Sequence, residues 1–112
     1  KILIFVLILF FLMNNQKIKQ TEVIEIEGKK ITTIPCTSFF SKFTGLMFSP
    51  KKNLLFEFST PNKPIIHMFF VFYPIKIYYL DENKKILDKI IAYPFHIYKT
   101  KYSSKYILEI PL

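Results

Sequence analysis

The sequence predicts a mainly β fold of the α+β kind: a small, compact, β-barrel-like domain with one short helix, preceded by an N-terminal hydrophobic segment. Three observations predict it. Eight short segments rich in Ile, Val, Thr, Phe and Tyr are each bounded by Gly, Pro or polar turns. No strand–helix–strand alternation of the kind that builds a parallel sheet is present. The apolar residues make up 51% of the 112, but many are gathered at the start. The rest of the chain has the composition of an ordinary globular domain.

Residues 2–13 (ILIFVLILFFLM) carry no charge, Gly or Pro, and Lys1 stands directly before them. That is the layout of a secretory hydrophobic region. The next residues, Asn14, Asn15, Gln16 and Lys17, offer no small-residue pair for a peptidase. A helix of this length rises about 18 Å, short of the ~30 Å hydrocarbon core. The expectation is a signal-anchor or truncated transmembrane segment over 1–13, a linker over 14–21 and a β domain over 22–112. The membrane would be met through residues 2–13, with the body extracytoplasmic or exported.

Residues 21–27 (TEVIEIE) alternate Val23, Glu25 and Glu27 with Ile24 and Ile26, the pattern of a half-covered strand. Gly28 supplies the turn, and residues 30–36 return as a β-branched strand. Ser38 is placed to cap a short helix through Thr44, which Gly45 would end. Residues 49–53 form a loop around Pro50. Residues 54–59 alternate Leu54, Phe56 and Phe58 inward against Leu55 and Glu57 outward. Residues 65–73 (IIHMFFVFY) are apolar on both parities, the mark of a strand covered on both faces. Residues 75–80 come next, and Asp81-Glu82-Asn83-Lys84 is the clearest hairpin loop before the return strand at 85–93. Residues 95–99 and 105–110 complete the set.

Charge and cysteine content narrow the function classes. The net charge is +8 and every cation is Lys. Nucleic-acid sites draw on Arg forks as well as Lys point charges, and no Arg is available. Ile and Phe are abundant and Ala92 is the one alanine, so the Lys excess fits adenine- and thymine-rich codon usage. Cys36 is alone; it forms no intrachain disulfide and reads as a small buried hydrophobe. No cofactor motif and no metal-ligand spacing occur.

Three blocks then carry a resemblance. Thr44-Gly45-Leu46-Met47-Phe48, Leu54-Leu55-Phe56-Glu57-Phe58 and Ile66-His67-Met68-Phe69-Phe70-Val71-Phe72-Tyr73-Pro74-Ile75 resemble, in order and spacing, the domain of unknown function 192 family. Tyr79-Leu80-Asp81 and Tyr106-Ile107-Leu108-Glu109-Ile110-Pro111 continue it. The middle block looks like the archaeal-type branch, in which His-Met-Phe-Phe replaces the commoner Trp-Met-Lys-Asn. Where the commoner pattern has Leu-Asp after the proline, this chain has Ile75-Lys76. The motif positions are Gly45, Leu46, Met47, Phe56, Phe58, His67, Met68, Pro74, Asp81, Leu108 and Glu109. The resemblance implies a small β-barrel-like domain, often exported or membrane-tethered, with no established activity.

Candidate chemistry is sparse. Cys36, His67, His96, Glu57, Asp81, Glu82, Asp88 and Glu109 could in principle act, but no catalytic pairing is evident. Strand alternation puts Glu25, Glu57 and Glu109 on the solvent side, and Asp81 and Glu82 belong to a hairpin. His67 is the one polar group in an apolar strand; with Met47 and Met68 it forms the candidate pocket. The expected function is a binding or accessory module for a small molecule or surface protein. The alternatives are an enzyme using His67 with a nearby carboxylate, and a basic nucleic-acid binder interleaving Tyr98, Lys99, Lys101, Tyr102 and Lys105.

Overall fold

The structure is a computed structural model that describes residues 21–37 and 45–112. The hydrophobic leader and the helix expected over 38–44 lie outside the described residues. Those described form eight strands and no helix, so none is long and apolar enough to cross a membrane. The strands are β1 (Glu22–Ile26), β2 (Lys29–Cys36), β3 (Leu54–Asn62), β4 (Ile66–His67), β5 (Ile75–Leu80), β6 (Ile86–Ala92), β7 (Ile97–Tyr98) and β8 (Ser104–Pro111). Six make one sheet in the order β1-β2-β3-β8-β5-β6, and β4 pairs with β7 separately.

The hairpins arise from local chemistry. Glu27 (φ 52) and Gly28 (φ 78) both take the left-handed region between β1 and β2, matching the twist of the strands they join. Between β5 and β6, the Asp81 Oδ1 accepts the backbone N–H groups of Asn83 at 2.8 Å and Lys85 at 2.9 Å. That local capture is what makes Asp a turn residue. β2 changes partner midway: Lys29–Thr33 face β1, whereas Ile34, Pro35 and Cys36 run parallel to Leu54, Leu55 and Phe56 of β3. Pro35 has no N–H to give, and it sits where β1 has already ended.

The sheet does not close, which corrects the expected barrel. β1 and β6 are its two ends, and side chains rather than a backbone ladder bridge them: Lys84 to Glu22 and Lys89 to Glu27, each at 2.6 Å. The Tyr78 hydroxyl adds a bond to Glu27 at 3.0 Å. The β1–β2 hairpin thus folds across one face of the main sheet, burying Ile24 and Ile26 against Leu55, Tyr78, Leu80 and Leu108. Leu55, expected to face outward, is covered by this hairpin. The other face carries the larger core, with Leu54, Phe56, Ile75, Ile77, Tyr79 and Ile107 packed under Leu46, Ile66, Met68 and Val71. β5 and β8 are therefore buried on both sides.

A second correction concerns residues 65–73. Regular pairing there shrinks to Ile66 and His67, because Phe70 takes φ 61 and turns the chain. Ile66, Met68 and Val71 enter the core, whereas Phe69, Phe70 and Phe72 are 41%, 43% and 63% exposed. The segment is apolar on both parities because one set fills the core and the other is displayed, not because a long strand is sandwiched.

Candidate functional site

The site grows out of strand register. On β8, Glu109 stands opposite Leu54 of β3 and Ile77 of β5. Directly opposed residues share a face, so Glu109 points to the side of the larger core. It is 8% exposed. This overturns the solvent-side assignment that alternation gave it. Alternation separates inside from outside only when one face is wet, and β8 has none. Glu25 and Glu57 are exposed as expected.

Above Glu109 lies a cavity of about 130 Å³. Ile75, Ile107, Phe56 and Phe58 contribute its sheet wall, and Gly45 with Leu46 contributes a second. The segment from Pro64 through Val71 forms the remaining side, with Ile65, Ile66, His67 and Met68 facing in. Gly45 takes φ +47, a conformation that disfavours any side chain. A Cβ there would lie 3.5 Å from the Phe56 ring and 3.7 Å from Glu109 Oε1, so the glycine backbone sits directly over the carboxyl.

Burial in these apolar surroundings pushes the Glu109 pKa from 4.5 up to about 8. No hydrogen bond or ion pair to this carboxyl is made among the described residues, and burial is the one cause of the shift. At neutral pH Glu109 is therefore mostly a neutral acid, offering one O–H donor and one carbonyl acceptor. Two phenols stand close enough to feel it. Tyr79 is pushed up to about 12, by burial first and then by Asp88 and Glu109, and its hydroxyl has no partner among the described residues. Tyr73 is raised by burial and then by Glu109, and its hydroxyl donates to the Ser49 carbonyl at 3.0 Å.

His67 faces the cavity at half burial. Its Nδ1 accepts the Phe69 N–H at 3.3 Å, which places the ring proton on Nε2. Met68 is fully buried and also lines the cavity, but Met47 is half-buried and is not among the lining residues. The candidate trio of His67, Met47 and Met68 is thus not gathered at one wall. Of the other motif positions, Gly45, Leu46, Phe56, Phe58 and Glu109 reach the cavity. Leu108 packs in the second core, Asp81 builds its turn, and the Pro74 carbonyl accepts the Leu112 N–H at 3.0 Å.

The remaining candidates have structural surroundings. Cys36 is buried in the larger core. His96 is exposed, with Nδ1 donating to the Pro94 carbonyl at 2.8 Å. In the basic stretch, Lys105 donates to the Ser59 carbonyl at 3.0 Å, Tyr98 packs against the core, and the Tyr98 hydroxyl accepts the Tyr93 N–H at 2.8 Å. No group of three His, Cys, Asp or Glu side chains able to hold a metal ion occurs among the described residues. One signal could have found Glu109. Tyr106 to Ile110 is apolar at every other place, and a strand apolar on both parities buries whatever polar residue it contains.

Comparison with known proteins places this geometry. The profile of DUF192, described as "Uncharacterized ACR", matches residues 22–112. A UPF0127 protein of Thermococcus sibiricus is 35% identical over 79 residues, covering 67% of this chain and 51% of that one. A UPF0127 protein of Pyrococcus abyssi is 30% identical over 98 residues, covering 85% and 81%. The chain spans about half the length of the Thermococcus relatives it matches. Among solved structures, a candidate transcription regulator of Sinorhizobium meliloti superposes with a TM-score of 0.70 at 18% identity, covering 81% of this chain and 78% of that one. A protein of unknown function from Novosphingobium aromaticivorans gives 0.63 at 14%, covering 83% and 81%. At such identities the likeness concerns the fold alone. The chain belongs to the DUF192 family, an uncharacterised family with no established activity.

Proposed function

We propose that this DUF192 domain is a small-molecule binding module whose site is the cavity over Glu109. One observation carries the reading: a carboxyl group, 8% exposed and without a partner among the described residues, lines an apolar cavity. Burying such a group costs about 1–3 kcal/mol unless something hydrogen-bonds it. A ligand that did so would recover that cost on binding. A cavity of about 130 Å³ is comparable to an engineered one that takes benzene, so the ligand portion enclosed is about six to ten non-hydrogen atoms. A neutral acid both gives and accepts a hydrogen bond, and the groups that answer it in kind are carboxamides and carboxylic acids. The ligand class is then a compact apolar body carrying one such head group.

The test is a thermal-shift series on the full chain with benzamide, benzoic acid and isovaleramide, against toluene as the shape-matched hydrocarbon. The head-grouped probes should raise Tm with saturation, and more than toluene does. The advantage should vanish in Gly45→Val, which drives a branched side chain toward Glu109. Equal shifts for toluene and benzamide would remove Glu109 from recognition, and no shift from any probe would sink the reading.

A second reading, an enzyme using His67 with a carboxylate, draws on the single fact that His67 and Glu109 line the same cavity. Turnover of a probe that is lost in His67→Gln with binding retained would favour it. Residues 2–13 complete the proposal as a membrane tether with the domain outside the cytoplasm, supported by their unbroken apolar character. Extraction of the full-length protein by alkaline carbonate would contradict the tether.

A further inference from the structure

The cavity over Glu109 is poor in charge. Among the described residues that line it, Glu109 and His67 are the two that titrate in water near neutral or acid pH, and no lysine takes part. Register sets Glu109 against Leu54 of β3 and Ile77 of β5. The other residues of those strands that pack on the same core, Phe56, Phe58, Ile75 and Tyr79, include no cation. The Gly45–Leu46 turn brings backbone over the carboxyl, and the segment from Pro64 to Val71 brings His67. From the core side, Tyr79 and Tyr73 feel Glu109, and Asp88 lies near enough to Tyr79 to raise it further. Burial holds both phenols above their usual range, so neither carries charge below about pH 9.

This arrangement decides which protonation state can be shut in. A ligand that fills the cavity takes the place of water. A charge closed off in apolar surroundings costs far more than one that water reaches, unless an opposite charge meets it. His67 is the one lining group among the described residues able to become a cation; it is half-buried, and its Nδ1 accepts the Phe69 N–H at 3.3 Å. One negative charge in the filled site is therefore disfavoured, and two, on Glu109 and on a carboxylate ligand, far more so. A neutral carboxyl facing a carboxamide, or a second neutral carboxyl, instead closes two hydrogen bonds head to head.

We propose that the site takes its ligand only with an uncharged head group and keeps Glu109 protonated while full, so that carboxylic acids bring a proton in and carboxamides do not. The inference rests on the reading of the cavity as a binding site and fixes the protonation state of what it binds. A free carboxylic acid is ionised at neutral pH. On entry its carboxylate takes one proton from solvent, and both carboxyls end as acids. A carboxamide needs no such step, so the two ligand classes separate as pH rises. Carboxylic acids lose affinity throughout the neutral range, whereas carboxamides lose it only where Glu109 itself ionises.

The test is calorimetric titration of the full chain with benzamide and with benzoate at about pH 5, 7 and 9, in paired buffers of different ionisation enthalpy. The difference in heat between buffers counts the protons exchanged. Benzamide should bind within about twofold alike at the two lower pH values and about tenfold more weakly at the highest. Benzoate should weaken about a hundredfold between the two lower values and take up about one proton per molecule at neutrality. In Glu109→Gln, which keeps the shape of the side chain and cannot ionise, benzamide should bind alike at all three. Benzamide bound equally tightly by the parent across the whole range overturns the proposal and leaves the binding site in place. So does benzoate bound at neutrality without proton uptake, or uptake that disappears in His67→Gln, which would give the proton to the histidine. Failure of both probes at every pH would overturn the binding-site reading itself, and this inference with it.

Discussion

Replacing Glu109 by Gln keeps the shape of the side chain and removes its ability to ionise. Glu109 has a folded pKa of about 8 against 4.5 when unfolded, because the folded chain holds it in apolar surroundings. The unfolded state therefore gives up its proton first, and stability is lost as pH rises from 4.5 toward 8. Each tenfold difference in proton affinity is worth about 1.4 kcal/mol, so ionisation in place costs about 5 kcal/mol in all. About 3 kcal/mol of that is already lost at pH 7, a large fraction of a typical 5–15 kcal/mol. Parent and Glu109→Gln should be within about 1 kcal/mol of each other near pH 4, where both carry a neutral group. At pH 8 the variant should be the more stable by about 4 kcal/mol, some 15 °C or more in Tm for a domain of this size. Urea titrations of both proteins between pH 4 and 9 measure the difference. Parallel stability profiles across that range would refute the reasoning, because they would mean that Glu109 titrates alike folded and unfolded.

Other perturbations draw on the same packing. Tyr79→Phe removes a buried hydroxyl that has no partner among the described residues; chemical denaturation should find the variant at least as stable as the parent, and by up to about 1 kcal/mol more so. Met68→Ala empties a fully buried position at the cavity wall; it should cost about 2–4 kcal/mol and let larger hydrocarbons raise Tm than the parent accepts. Gly45→Ala meets only ordinary contacts at 3.5 and 3.7 Å, so its cost is the left-handed backbone, about 1–2 kcal/mol by denaturation.

Much of this architecture is legible locally. Glu27-Gly28 and Asp81 declare their turns because a short stretch of chain supplies both the conformation and the bonds that hold it. Eight strands emerge near their expected places, and β-branching at Ile31 to Ile34 suffices to mark β2. Closure into a barrel is not legible, because it depends on whether β1 reaches β6 through backbone or side chains. Glu22–Lys84 and Glu27–Lys89 settle that over long sequence separations. Glu109 escaped for a related reason. Its face is fixed by Leu54 and Ile77, both distant in sequence, and a strand covered twice leaves no wet side to read. Within residues 65–73 composition showed apolar character but not its division between core and surface, since the φ of Phe70 that divides them is imposed by the loops around it. His67 and Met68 line the cavity, whereas Met47, a neighbour of cavity-lining Leu46, does not.

The central claim is that the cavity presents a neutral carboxylic acid for a ligand to read, and direct titration of that group tests it. Carbon-13 NMR of the Glu side-chain carboxyls, with Glu109→Gln supplying the assignment, should show one resonance with a midpoint at about 8. That midpoint should move when benzamide saturates the site. A Glu109 midpoint near 4.5, unmoved by any probe, would contradict the account.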